Sequence, residues 1–327
     1  MTITCFDQAL PQGIRLSCRA AGPLDAPLKA LFLHGFPEAA FVWDGVMAAL
    51  APQVRCVAPN LRGYGASSAP TEVSAYRAKH LVADLSAMID AITGSPDAPI
   101  DLLVAHDWGG GVAWNLAALS PQRVRRLVII NSPHPGALLR ELRDNPAQQA
   151  ASLYMNDLVQ PDAAARLAAH DFAGLWAVLE RFGPADWLTA AVREQYREVW
   201  RQGLDGALNY YRASPLRPPT GPADHALQPL VLPASVVNVA VPTTVLWGEA
   251  DHALLPGLLD GLADWVPGVQ IHRLPGASHW IVHEQPAWVI GRLGFNSKVN
   301  VRLELTVTVA KLSCAITDRS DRAAPSP

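Results

Sequence analysis

The sequence predicts an α/β fold in which a mostly parallel central sheet carries helices on both faces. Short apolar runs bounded by turn residues alternate with stretches of helical periodicity along most of the chain, and this alternation is typical of parallel sheets with crossover helices. The chain has 327 residues, half of them hydrophobic, which is enough for a large core with an insertion. We therefore expect one α/β core that is interrupted once.

The predicted strands are short apolar runs that end in turn residues. They lie at 30–35, 54–59, 100–106, 124–132, 243–251 and 269–276. Helical periodicity fills several of the gaps between them, as at 79–92 and 110–120. Strands that are separated by helices pair in parallel rather than as hairpins.

The alternation stops between about residue 133 and residue 240. This segment has helical periodicity at 172–182 and 189–212, and it leaves through a proline-rich stretch at 214–222. We interpret 133–240 as a helical lid with its return linker, inserted between two parts of the core, 1–132 and 241–295.

Residues 296–327 form a C-terminal extension with a different composition. Apolar and polar residues alternate strictly over 299–309, a pattern that is typical of a strand. Two interpretations are open: an added edge strand that pairs within the chain or between protomers, or a poorly ordered extension. Residues 318–327 are expected to be disordered in either case.

Composition excludes several classes of partner. Lys plus Arg number 26 and Asp plus Glu 29, giving a net charge of −3, so the chain has no general attraction to nucleic acid or anionic membrane. The four cysteines lack CxxC spacing, which is typical of isolated thiols in a reducing compartment. The N-terminus does not have the pattern of a signal peptide. We expect a cytoplasmic monomer or homodimer.

The stretch LLVAHDWGGGVAWNLA at 102–117 has the pattern of a strand, a sharp turn and a helix. Asp107 occupies the tip, between small residues at 105 and 109, where a nucleophile elbow usually carries serine. Taken alone, Asp107 could be an ordinary helix N-cap, for which aspartate is favoured. Its predicted partners favour the interpretation as a nucleophile.

An acid and then a histidine must follow a nucleophile of this kind in chain order. Asp251 ends the predicted strand 243–251, and His279 follows the predicted strand 269–276. Taken alone, Asp251 could cap a loop, and His279 could be an ordinary surface histidine. Three such residues at successive strand ends predict a triad in which Asp251 orients His279.

The sequence HGFPE at 34–38 follows an early strand. A loop in this place supplies one backbone N–H of an oxyanion hole, and the residue after the nucleophile supplies the other. We assign these two donors to Phe36 and Trp108.

These motifs, in the order HGFPE, RGYG (62–65), HDWGG (106–110), LWGEAD (246–251) and GASHW (276–280), resemble the α/β-hydrolase superfamily and, more narrowly, its soluble epoxide hydrolases. The resemblance covers roughly residues 12–294. An elbow aspartate also occurs in dehalogenases of the superfamily. Haloalkane dehalogenases usually place Asn or another halide-binding residue at the position of Phe36, and fluoroacetate dehalogenases place arginines at those of Trp108 and Gly111.

The resemblance also implies two lid tyrosines that donate hydrogen bonds to the epoxide oxygen. The stretch ALNYYR at 207–212 is similar to the family's lid motif and indicates Tyr211. Tyr154 becomes the second donor when the pair Gln160–Pro161 anchors the alignment, whereas another anchor places Ala151 there. The other interpretation of both tyrosines is helix-packing aromatics.

What the resemblance implies is hydrolysis of an apolar epoxide to a vicinal diol through an ester of Asp107, which water activated by His279 and Asp251 then cleaves. Neither a metal nor an organic cofactor is expected. The alternatives are a haloalkane dehalogenase with the same triad, in which Trp108 would bind halide, and a non-catalytic binding protein. An esterase is disfavoured because Asp107 replaces serine.

Overall fold

The computed structural model describes residues 2–221 and 223–294. Within them, one sheet forms the centre of the molecule. Its strands are β1 (Thr4–Ala9), β2 (Arg15–Ala21), β3 (Leu28–Leu33), β4 (Val54–Pro59), β5 (Leu102–His106), β6 (Leu127–Ile130), β7 (Thr243–Gly248) and β8 (Gln270–Leu274).

The strands lie in the order β1-β2-β4-β3-β5-β6-β7-β8. β1 pairs antiparallel with β2 and β2 with β4, whereas all later neighbours are parallel. β5 and β6 are buried along their whole length, as is expected of central strands covered on both faces. This architecture confirms the predicted fold class.

Helices cover the sheet and fill the predicted insertion. They are α1 (Asp44–Leu50), α2 (Ala78–Thr93), α3 (Asp107–Leu119), α4 (Pro135–Asp144), α5 (Pro146–Ser152), α6 (Tyr154–Leu158), α7 (Ala163–Arg181), α8 (Ala190–Trp200), α9 (Asp205–Ala213), α10 (Ala234–Val237), α11 (Ile281–Glu284) and α12 (Pro286–Ile290). Helices α4 to α10, here called the inserted helices, lie between β6 and β7. Buried side chains of α7, α8 and α9 belong to the same hydrophobic core as the sheet.

Each of the six predicted strands corresponds to a strand from β3 to β8. β1 and β2 were not predicted from the sequence. β1 is mostly exposed and has no apolar run, so its sequence carries little strand signal. β2 does carry a period-two pattern, because Leu16, Cys18 and Ala20 are buried while the residues between them are not fully buried.

The prediction of one helical stretch at 189–212 is wrong in one respect, because the structure divides this stretch into α8 and α9. Gly203 lies in the connection with a φ of 123°, a conformation that residues with a side chain rarely adopt. A left-handed turn interrupts α7, where His170, Asp171 and Phe172 have φ of 53°, 57° and 62°. The helical period predicted at 172–182 begins at the last of these residues.

Cys18 and Cys56 are free, buried thiols. Cys5 is disulfide-bonded, so the expectation of isolated thiols is wrong for this residue, which lies exposed on the edge strand β1. None of the described helices is long and apolar enough to cross a membrane. The predictions for 299–309 and 318–327, and the extension 296–327 as a whole, lie outside the described residues.

Candidate active site

Four predicted site residues lie at one edge of the sheet. Phe36 follows β3, Asp107 follows β5, Asp251 follows β7 and His279 follows β8. These strands all run parallel, so their carboxyl ends share the edge at which such sheets form ligand sites. The topology therefore brings together residues that are up to 243 positions apart, from 36 to 279.

Asp107 stands on a sharp turn between β5 and α3. Its φ is 47°, a strained value for a residue with a side chain. The Phe36 N–H donates to Oδ1 of Asp107 at 2.7 Å, and the Ser132 hydroxyl donates to its carbonyl oxygen at 2.6 Å. Position 35 must be glycine, because a Cβ there would lie 2.2 Å from Oδ1 of Asp107. The turn thus presents the carboxylate against the predicted oxyanion donor Phe36.

His279 and Asp251 form a buried pair beside this carboxylate. His279 Nδ1 lies 2.7 Å from Oδ2 of Asp251, and His279 Nε2 lies 3.8 Å from Oδ2 of Asp107. Asn131 Nδ2 also donates to Oδ2 of Asp251 at 2.7 Å. The N–H groups of the two residues at 253 and 254 donate to its other oxygen. Asp251 is therefore fixed as an acceptor, and the free Nε2 of His279 faces the nucleophile.

The charges around His279 determine its protonation. Burial lowers the pKa of His279, but Asp251, through its charge and hydrogen bond, and then the charges of Asp107 and Glu38 raise it to about 9. In the resting site His279 is consequently an imidazolium at neutral pH, facing the Asp107 carboxylate.

Asp107 opens into a cavity of about 360 Å³. Tyr154 of α6 and Tyr211 of α9 line the same cavity, with ring centroids 6.3 Å apart. Burial raises the pKa of both hydroxyls. The charge of Asp107 raises the pKa of Tyr154 further. Tyr154 and Asp107 both raise the pKa of Tyr211 further. Both hydroxyls are therefore protonated donors at neutral pH.

Trp108 lies in the first turn of α3 and lines the cavity. Its ring packs edge-on against Tyr211 with centroids 5.0 Å apart. Phe36 contacts Tyr211 from another side at 5.3 Å. These contacts hold the Tyr211 ring between the two residues whose N–H groups are the predicted oxyanion donors.

Comparison with known proteins places the chain in a family. The family model for the alpha/beta hydrolase fold matches residues 31–286. The YfhM protein of Bacillus subtilis, an AB hydrolase superfamily protein, is 32% identical over 85% of this chain and 92% of its own. An epoxide hydrolase of Caballeronia sordidicola is 30% identical over 84% and 87%. A solved epoxide hydrolase from metagenomes of hot environments is 34% identical with a TM-score of 0.79, over 89% and 97%.

The chain belongs to the α/β-hydrolase superfamily and, within it, to the epoxide hydrolases. A crystal structure of the Bacillus megaterium epoxide hydrolase in complex with an inhibitor has a TM-score of 0.78 and 30% identity, over 88% of this chain and 97% of its own. The RGYG motif at 62–65 has a structural role in this enzyme. Arg62 donates through Nε and Nη2 to Asp84 at 2.7 and 2.6 Å, and both side chains are buried.

Sequence reasoning missed a second polar cluster behind the triad. Glu38, His106 and His283 are joined by hydrogen bonds, and Tyr196 of α8 joins them. Glu38 belongs to HGFPE and His106 to HDWGG, so both motifs contained the signal although no role was assigned. Nothing in the local sequence marked Tyr196 or His283, because their partner is distant in the chain.

Within the described ranges, no cluster of three or more His, Cys, Asp or Glu side chains is arranged to hold a metal ion. The absence of a metal or cofactor from the chemistry stays a prediction.

Proposed function

We propose that this enzyme hydrolyses epoxides to vicinal diols through an alkyl ester of Asp107. One observation carries the proposal. The Asp107 carboxylate shares an apolar cavity with two protonated tyrosine hydroxyls, while the His279–Asp251 pair stands 3.8 Å from it. A nucleophile and two acids thus line one cavity, and a base stands beside the nucleophile.

In the first half-reaction, Asp107 attacks one carbon of the epoxide ring. The new C–O bond is that of an alkyl ester, and the breaking C–O bond leaves its electron pair on the ring oxygen. Tyr154 and Tyr211 donate hydrogen bonds to that oxygen, and one of them supplies its proton. Relief of ring strain favours the step, and the oxygen remains part of the product.

In the second half-reaction, His279 removes a proton from water, which attacks the carboxyl carbon of the ester. Backbone N–H groups of Phe36 and Trp108 stabilise the tetrahedral oxyanion. The ester C–O bond then breaks, and the diol alkoxide takes its proton from the His279 imidazolium. The second proton of the attacking water leaves the Asp107 carboxyl group and restores the tyrosine that gave up its proton, so the Asp107 carboxylate is regenerated. Asp251 stabilises the imidazolium that forms on His279.

The roles of the chain segments follow from this scheme. We propose that 1–132 and 241–295 form the hydrolase core, and that 133–240 is the lid that supplies the two acids. A neutral epoxide and water are the reactants. No observation favours the dehalogenase alternative, since the indole ring of Trp108 packs edge-on against Tyr211 and position 36 offers a phenyl ring.

Isotope labelling tests the proposal. In a single turnover with excess enzyme in ¹⁸O-water, the diol should be almost unlabelled, and the label should appear in the peptide that contains Asp107. If His279 instead activated water for direct attack on the epoxide, the first diol would carry the label and Asp107 would not.

Two variants complete the experiment. His279→Gln should form the ester but hydrolyse it slowly, so that an adduct accumulates on the Asp107 peptide in mass spectra. Asp107→Ala should form no adduct. A labelled first diol, or an adduct that persists in Asp107→Ala, contradicts the mechanism. Release of halide from haloalkanes without any diol from epoxides would favour the dehalogenase.

A further inference from the structure

A buried polar cluster joins the core to the inserted helices behind His279. Glu38 is 0% exposed. Its Oε2 lies 3.0 Å from Nδ1 of His106, and its Oε1 lies 2.6 Å from Nε2 of His283. The hydroxyl of Tyr196, on α8, donates to the same Oε1 at 2.9 Å. Both carboxylate oxygens are thereby occupied by side chains from three parts of the chain.

Glu38 acts as a charged acceptor in this cluster. Burial raises the pKa of Glu38, but the charges and hydrogen bonds of His283 and His106 outweigh it and hold the pKa well below its usual range. A buried carboxylate is stable only when donors satisfy it. The hydrogen bonds from Tyr196, His106 and His283 supply that satisfaction.

His106 lies between two acceptors. Its Nδ1 faces the Glu38 carboxylate, and its Nε2 lies 2.9 Å from the main-chain carbonyl oxygen of His279. His106 therefore joins the Glu38 carboxylate to the main chain at His279 through its two ring nitrogens. Such a link restrains the position of the His279 main chain.

The restraint is linked to the inserted helices. Trp187, in the loop before α8, stacks on His283 with ring centroids 3.9 Å apart and an interplanar angle of 6°. Tyr196 reaches Glu38 from α8 and also packs edge-on against Phe41 of the core at 4.8 Å. Glu38 is therefore bound both by His106 of the core and by Tyr196 of the inserted helices.

We infer that Tyr196 and His283 are positioning residues for His279, acting through Glu38 and through His106, whose Nε2 contacts the His279 carbonyl. This inference rests on the proposed function, because His279 matters as the base of the hydrolytic step. Esterification uses Asp107 and the two lid tyrosines, so loosening the cluster should slow hydrolysis of the ester more than its formation.

Tyr196→Phe removes one donor at little change in volume. Quenched-flow measurement of the Asp107 adduct should show hydrolysis slowed about three- to tenfold, the range of one lost hydrogen bond, with ester formation changed less than twofold. The matched control is His134→Gln, since the buried His134 bonds the Val237 carbonyl and does not contact Glu38. This variant should lose stability without changing the ratio of the two steps.

A second measurement follows the contact between Glu38 and His106. In ¹⁵N-histidine NMR, Tyr196→Phe and Glu38→Gln should both shift the ring-nitrogen signals of His106, and His134→Gln should not. If Glu38→Gln fails to fold, Tyr196→Phe still decides the matter.

Unchanged ring-nitrogen signals of His106 in Tyr196→Phe, or an unchanged ratio of hydrolysis to ester formation in that variant, overturns the inference. An equal slowing of both steps also overturns it, because the cluster would then act on the fold as a whole. Failure of the proposed function is distinct, since the wild type would then form no Asp107 adduct at all.

Discussion

At the scale of single residues, the charge of Asp107 affects the pKa of His279, the proposed base that later cleaves the Asp107 ester. Asp107 is among the groups that raise the pKa of His279 to about 9. When Asp107 becomes an ester it loses its charge, and that contribution disappears. His279 should then release its proton more easily at the stage when a neutral base is required.

This coupling predicts a pH dependence of the second half-reaction. The rate constant for hydrolysis of a preformed adduct should rise with pH and level off above an apparent pKa that lies below 9, because only neutral His279 accepts a proton from water. A pH jump followed by quenching and mass spectrometry measures it. His279→Gln should hydrolyse about 10² to 10⁴-fold more slowly without that dependence. A wild-type rate that falls between pH 6 and 9 contradicts the coupling.

Some site residues could be predicted from local motifs and others could not, and the difference has a physical reason. Asp107, Asp251 and His279 could be predicted because each follows a strand with a recognisable sequence. Tyr196 and His283 contact Glu38 across sequence separations of 158 and 245 residues. Only the packing of the inserted helices on the core creates these contacts, so no local pattern records them.

At the scale of elements, the two proposed acids depend on helices that are separate in the chain. Tyr154 begins α6, and Tyr211 lies in α9. Each was predicted from an alignment of short motifs, and the structure places both on the cavity with Asp107. Their proton-donating role stays a prediction.

Removal of either hydroxyl should slow ester formation. Tyr154→Phe and Tyr211→Phe should each reduce its rate by about 10- to 100-fold, and the double variant should almost abolish it, because a transition-state donor is lost. Single-turnover formation of the adduct measures this. Tyr210→Phe is the comparison: its hydroxyl donates to the Arg62 carbonyl at 3.0 Å, so its loss should lower stability and affect the rate far less. Full activity of Tyr154→Phe would remove Tyr154 from the mechanism and favour the other anchor.

The success of the strand predictions also has a physical basis at this scale. Central strands such as β5 and β6 are buried on both faces and therefore appear as continuous apolar runs. The exposed edge strand β1 has no such requirement. The division of 189–212 into two helices depends on the conformation of Gly203, which helical periodicity alone does not reveal.

At the scale of the whole molecule, the polarity of the cavity wall leads to a prediction about substrate charge. The core and the inserted helices build its wall together, mostly from apolar and aromatic side chains. Among the described residues that line it, Asp107 is the only one with a formal charge. A substrate with a carboxylate would therefore enter without a cationic partner and next to a negative charge, which is costly in an apolar site.

The enzyme should therefore prefer neutral epoxides to matched anionic ones. We expect kcat/KM for 3-phenylglycidate to be about 10- to 100-fold lower than for the neutral 3-phenylglycidol, the cost of an unpaired group in an apolar site. Leu119→Arg should narrow this gap, because Leu119 lines the cavity and is 47% exposed, so a guanidinium there can reach both water and substrate. Leu24→Arg, at a residue that is 79% exposed and outside the lining, controls for the added charge. Equal kcat/KM values for the two substrates in the wild type, or equal effects of the two arginines, would show that the apolar wall does not determine selectivity.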